Sequence, residues 1–221
     1  MTQIELSKAG RTSPETRRVA KDEGVSVDFI RKGLIDGTIV IPKNIGHRIE
    51  KPCGIGKGLK TKINANIGTS KDSSNISNEI KKMKLSIKSG ADAIMDLSTG
   101  TRIEETRRKI LSQSKVPVGT VPIYEIVING LKKYGSISDI TAEEMFAVLE
   151  KQAREGVDFF TIHAGVTKKA LDTLKRNPRL LNIVSRGGAF LAEWIIINNR
   201  ENPFYENFDR VIDIAKRYDI T

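Results

Sequence analysis

Cysteine is nearly missing from this chain of 221 residues: Cys53 is the only one. A lone thiol excludes an internal disulfide and fits a reducing cytoplasm. Histidine is almost as scarce, with only His47 and His163. Aromatic residues make up 5%, and they do not interleave with the basic residues as a base-stacking platform requires. No apolar run approaches the roughly 18 residues of a membrane span, and Trp194–Ile197 is among the longest. The opening MTQIELSKAG has neither the basic start nor the apolar stretch of a signal peptide. Acidic residues are outnumbered, 27 against 37 basic, for a formal charge of +10. The basic pairs Lys81-Lys82, Arg107-Arg108, Lys132-Lys133 and Lys168-Lys169 are scattered among predicted helices and mixed with acids. That pattern describes a solvated surface on a protein handling small phosphorylated or acidic ligands, and nucleic acid is set aside as a partner. The hydrophobic fraction of 38% suffices for a real core.

What is present falls into two regions. In residues 1–60, Ser13-Pro14 starts a helix that stops before Gly24. A second helix begins near Ser26, carries Phe29, Ile30 and Leu34 inward, and ends at Gly37. Thr38–Ile41 then reads as a strand closed by Pro42. This stretch is a small α+β extension of the main body, 61–221.

From Thr61 onward, short apolar runs break repeatedly into Gly and small polar residues: KINANIGTS, ADAIMDLSTG, PVGTVPIYE, FFTIHAGV and IVSRGG. Strands are expected to begin near 62, 91, 117, 159 and 183, about 30 residues apart on average, the length of a βαβ step. Between them lie helical patterns. Ile76, Ile80, Met83 and Ile87 precede Gly90; a capping box of Thr101 and Glu104 leads Ile103, Ile110 and Leu111. Another box, Thr141 with Glu144, leads Met145, Leu149 and Ala153 to Gly156, and Phe204, Phe208, Val211, Ile212 and Ala215 form a last amphipathic helix. Alternation of this kind implies a parallel sheet with right-handed crossovers. No GxGxxG follows the first strand, so a (β/α) TIM-type barrel is preferred to a dinucleotide-binding sheet. About five of the eight βα units of a closed barrel are expected, with Tyr218–Thr221 beginning a sixth strand.

Chemistry in such a fold belongs at strand C-termini. Asn66 ends the first strand, where its amide either orients a polar heterocycle or satisfies its own loop. Met95 is core filler or a ligand contact, and Asp96 braces adjacent loops or binds a sugar hydroxyl. Tyr124, after Pro122 at the end of the third strand, reaches a phosphate or ring nitrogen, or a structural partner. His163 closes the apolar run from Phe159 and faces the ligand side. At the fifth strand Ser185, Arg186, Gly187 and Gly188 combine a hydroxyl, a guanidinium and approachable backbone N–H groups, which suit phosphate.

In this order and spacing, KINANIGTS, MDLSTG, PVGTVPIY, FFTIHAGV and SRGG resemble the corresponding blocks of the phosphomethylpyrimidine synthase (ThiC) family of thiamine biosynthesis, and SPETRRVAKDEG resembles its opening. The resemblance implies a radical enzyme, a carbon–carbon lyase, using S-adenosylmethionine, a [4Fe–4S] cluster and zinc to convert 5-aminoimidazole ribonucleotide into hydroxymethylpyrimidine phosphate. It implies substrate contacts at Asn66, Met95, Tyr124, His163, Ser185, Arg186 and Gly187. The family's DGLRPG-like strand end, two histidine metal ligands and CxxCxxxxC motif do not occur here; His47 matches no metal position, and Asn198-Asn199 stands where histidines are expected. The chain is accordingly expected to be the N-terminal, substrate-binding portion of the enzyme. It would be a truncated form, one half of a split enzyme completed by a separate polypeptide, or a ligand-binding remnant; a homodimer or a completing chain is the expected partner, and the metal and cluster ligands are absent from this chain.

Overall fold

The computed structural model describes residues 1–221, which divide into two units: residues 1–120, 152–160 and 215–221 in one, residues 121–151 and 161–214 in the other. The first unit opens with α1 (Gln3–Lys8), a helix the sequence announces by a T-x-x-E pattern: Thr2 and Glu5 cap each other reciprocally. Next come α2 (Pro14–Glu23), capped by Ser13 and stopped by left-handed Gly24, and α3 (Val27–Ile35), capped by Ser26. Ile30 and Leu34 are buried with Val19, Ala20, Ile39 and Ile41 in one apolar cluster. Phe29, expected inward, is exposed; it lies one position off the buried stripe, against Gly58. Strand β1 (Ile39–Val40) pairs antiparallel with β2 (Ile55–Gly56).

Strands β3 (Asn64–Ile67), β4 (Ala93–Asp96), β5 (Val118–Thr120) and β6 (Phe159–Phe160) form a parallel sheet in that order. Two helices, α4 (Ile76–Lys88) and α5 (Ile103–Gln113), bury Met83, Ile110 and Leu111 on one face against Ile67, Ile94 and Val118. The architecture is thus the mixed α/β type that the alternating pattern requires. The expected Thr101–Glu104 capping box does not form: α5 starts after Arg102 with no side-chain cap, Glu104 pairs with Arg108 and Arg102 with Glu105.

A buried polar knot ties the segment after β1 to this sheet. Asp158 accepts from Asn44 N at 2.8 Å and Val118 N at 2.7 Å and meets His47 Nδ1 at 2.7 Å, while His47 Nε2 lies 2.9 Å from Leu111 O. The Asn44 amide donates to Ala153 O and Val157 O. His47 is therefore a structural residue. Fully buried polar atoms are tolerated because each has its partner.

The second unit contains α6 (Pro122–Tyr134), most of α7 (Ala142–Glu155), α8 (Lys168–Arg176), α9 (Arg186–Asn198), α10 (Pro203–Glu206) and the start of α11 (Phe208–Tyr218). The Thr141–Glu144 box forms at the head of α7. Trp194 donates to Ile140 O at 2.8 Å, and Phe146 meets Phe204 edge-on at 5.5 Å. The last predicted helix breaks at Asn207, which leaves Phe208 exposed while Phe204, Val211 and Ile214 are buried.

The expected fifth strand near 183 is absent. Ser185 Oγ accepts from Gly188 N and starts a helix at Arg186, so Ser185–Gly188 is a helix N-terminus and not a strand end. Along β6 the neighbouring position is held by Thr221, whose N–H donates to Asp158 O at 3.1 Å and whose carbonyl accepts from Phe160 N at 3.0 Å. Residues near the C-terminus thus take the fifth place beside the sheet, not the sixth.

Candidate functional site

The seven residues singled out in the sequence divide between the two units. Asn66 and Met95 belong to the first. They are ladder partners on adjacent strands, and Asn66 is exposed on the sheet face opposite α4 and α5. Met95, 9% exposed, sits on that same face.

The loops that follow them are tied together by side chains. Glu79 accepts from Gly68 N at 2.8 Å, Ser98 Oγ accepts from Thr69 N at 3.1 Å, and Asp96 Oδ1 accepts both Ser98 N at 2.9 Å and Ser98 Oγ at 2.5 Å. Gly68 has φ +150°, and a Cβ there would lie 2.6 Å from Leu97 C and Ser98 N, so the crossing of the two loops requires glycine. Of the two roles weighed for Asp96, the structure displays the brace. Burial pushes its carboxyl above the ordinary range, against the Ser98 hydrogen bonds that pull it down.

Tyr124, His163, Ser185, Arg186 and Gly187 come together in the second unit. Tyr124 lies in the first turn of α6, not at a strand end, because Pro122 takes the first helical position with a fixed φ. The Arg186 guanidinium stands 5.3 Å from the centre of its ring. His163, in the loop after β6, places Nε2 3.0 Å from Ser185 Oγ, and the same oxygen accepts from Gly188 N at 3.1 Å. A Cβ on Gly187 would fall 2.5 Å from His163 Cε1 and 2.7 Å from Ile123 Cγ2, so the imidazole can close on α9 only over glycine. Burial lowers the His163 pKa, which favours the neutral ring. The imidazole has a second ring nitrogen, Nδ1, on its far side. That nitrogen is buried without a partner.

Sequence reading missed the residue that holds this loop. Asn202 Nδ2 donates to His163 O at 2.9 Å and Val166 O at 2.9 Å, while Asn202 Oδ1 caps α10. The Asn-Pro dipeptide at 202–203 is a recognisable helix start, but nothing local reveals that its amide also clamps a loop 39 residues earlier. Glu79 was equally hidden, being an acid on an otherwise ordinary helix.

The arrangement can orient a planar polar ligand and hold an anionic group at the N-terminus of α9, where backbone N–H groups and Arg186 favour negative charge. No three His, Cys, Asp or Glu side chains are placed to share a metal ion. Cys53 is buried, and its thiol is pushed up to about 12 by that burial, the opposite of a metal-ligating thiolate. No helix is long and apolar enough to cross a membrane.

Comparison with known proteins adds an independent finding. The model of the radical SAM ThiC family matches residues 2–221. The phosphomethylpyrimidine synthase of Thermodesulfovibrio yellowstonii is 51% identical over all 221 residues, which cover 52% of that protein. A Thermoanaerobacter species has a phosphomethylpyrimidine synthase 52% identical over the same span, covering 51% of it. The 5-hydroxybenzimidazole synthase BzaB of Moorella thermoacetica is 48% identical, with 52% covered. The chain spans about half the length of the curated relatives it matches.

Proposed function

Because the chain belongs to the radical SAM ThiC family, we propose that it supplies ribonucleotide-binding groups to the phosphomethylpyrimidine synthase reaction of thiamine biosynthesis. The substrate is 5-aminoimidazole ribonucleotide, the reaction class a carbon–carbon lyase, and the compartment the cytoplasm. The observation that carries this reading is the convergence of Tyr124, His163, Ser185, Arg186 and Gly187 around the start of α9. Arg186 and the α9 N–H groups hold the phosphate. His163 Nδ1 has no hydrogen-bond partner within the protein, which leaves one imidazole nitrogen for the ligand. In the first unit Asn66 and Met95 offer an amide and a thioether to a heterocycle, and the four strands form part of a (β/α) barrel.

The residues of this chain do not fit the family's cluster or zinc. A cluster that leaves one iron free for S-adenosylmethionine requires three thiolates, and the single Cys53 is buried and protonated. No step of the radical chemistry is assigned to these residues; their part is to bind and orient.

Calorimetric titration with 5-aminoimidazole ribonucleotide tests the reading. His163→Ala and Arg186→Ala are expected to weaken binding roughly ten- to a hundredfold, the loss of one charge-assisted contact, while exposed Lys132→Ala leaves it unchanged. Equal affinities in all four proteins would remove the site from α9.

A second reading rests on the similar identity to BzaB, a 5-hydroxybenzimidazole synthase. The product separates the two. In an anaerobic host lacking its own synthase, the chain is co-expressed with a completing chain that supplies the cluster ligands: restored growth without thiamine supports the first reading, and accumulation of 5-hydroxybenzimidazole supports the second.

A further inference from the structure

A single row of the parallel sheet runs through residues that the family pattern marks and residues that it does not. Asn66 pairs with Met95, Met95 with Gly119, and Gly119 with Phe159. Paired residues of a parallel sheet project to one face, and successive strands lie about 4.8 Å apart, so the row is a continuous strip. Its alternates Ile94 and Val118 point to the other face, into the core beneath α4 and α5. At Gly119 the strip has no side chain of its own. The Phe159 ring lies over this gap: a Cβ on Gly119 would overlap the ring carbons. Phe159 is half-buried and has no aromatic partner of its own. The strip therefore carries an exposed amide, a largely buried thioether and a half-buried aromatic ring over bare backbone.

We propose that Phe159, seated over Gly119, is a specificity-determining residue: with Met95 it forms an apolar floor that takes the face of a planar nitrogen heterocycle, while Asn66 reads the heterocycle's polar edge. Dispersion and quadrupole terms favour stacking of a flat ring on such a floor and offer nothing to a bare sugar phosphate. Glycine at 119 is part of the device, since any side chain would lift the ring. This rests on the ribonucleotide reading for the identity of the ligand, and the following measurements separate the two.

Chain labelled with 13C in the methionine methyl groups is titrated with 5-aminoimidazole ribonucleotide, ribose 5-phosphate and free adenine. The Met95 methyl is expected to shift with the ribonucleotide and with adenine but not with ribose 5-phosphate. Phe159→Leu should weaken the ribonucleotide about tenfold, the order of one base-stacking contact, and leave ribose 5-phosphate unchanged. Phe159→Tyr should restore it. If Phe159→Leu binds the ribonucleotide as tightly as wild type and the Met95 methyl does not move, while Arg186→Ala still weakens binding, the floor is wrong and the ribonucleotide reading stands. If adenine moves the Met95 methyl but the ribonucleotide does not bind, the floor stands and that reading falls. If neither probe binds, both fall.

Discussion

His163 Nε2 lies 3.0 Å from Ser185 Oγ across 22 residues of sequence, and the same hydroxyl oxygen caps α9. One oxygen thus positions an imidazole and starts a helix. Burial holds the His163 pKa below 6.5, its ordinary value. The native state then binds fewer protons than the unfolded chain as pH falls below that value, so the contribution of His163 is present above about pH 6.5 and is lost as pH falls through the lowered native pKa. Denaturant midpoints measured between about pH 7.5 and 5 should decline in wild type and decline less in His163→Gln. Ser185→Ala should cost about 1 kcal/mol, as loss of an N-cap. Parallel pH profiles in wild type and His163→Gln would refute the linkage.

Asp219 gives the opposite pH dependence. Burial raises its carboxyl to about 6 from 3.8, although the Gln3 N–H and Lys43 pull it down. A raised native pKa means that its contribution is full below about 3.8 and lost as pH rises through about 6. Asp219→Asn keeps an acceptor for Gln3 and tolerates the left-handed backbone at φ 56°. That variant should melt higher than wild type at pH 8 and converge with it on acidification. A gain that is equal at both ends of the range would show that charge is not the cause.

Gly68→Ala should be among the most damaging methyl additions in the chain. It combines a backbone angle reserved for glycine with overlap at Leu97 and Ser98, at a cost of about 2–4 kcal/mol. Glu79→Gln, which retains an acceptor for Gly68 N, should cost about 1 kcal/mol. Urea unfolding compares them; a neutral Gly68→Ala would mean that the two loops do not cross as described.

Anaerobic reconstitution of the chain alone with iron and sulfide should yield no stable [4Fe–4S] cluster and no cleavage of S-adenosylmethionine. One buried, protonated thiol cannot supply three ligands. Stoichiometric cluster absorption accompanied by 5′-deoxyadenosine would refute this.

Local signals were read well where structure is locally decided. Ser13, Ser26 and the Thr141–Glu144 pair cap helices as their spacing requires, and the four runs at 62, 91, 117 and 159 became ladder neighbours. Reading failed where a long-range partner decides. The run IVSRGG has the composition of a strand, yet the ladder place beside β6 belongs to Thr221, and Ser185 spends its hydroxyl on a helix cap. Thr101 with Glu104 fits the capping pattern, but Glu104 is drawn to Arg108. The same limit applies to the site. His163, Arg186 and Tyr124 were singled out from chemistry and resemblance and lie together at the start of α9, whereas the Asn202 clamp, the Glu79 brace and the Phe159–Gly119 overlap depend on contacts that no spacing encodes.

The unit that contains the sheet is assembled from three separate stretches, 1–120, 152–160 and 215–221. On the ribosome, its β6 edge must wait while residues 161–214 emerge before Asp158 and Phe160 can meet their Thr221 partner. These contacts join residues distant in sequence, which raises contact order and slows closure of this unit. An arrested chain ending near 214 should therefore hold β3–β5 while leaving β6 open to proteases, and synthesis of residues 215–221 should close it.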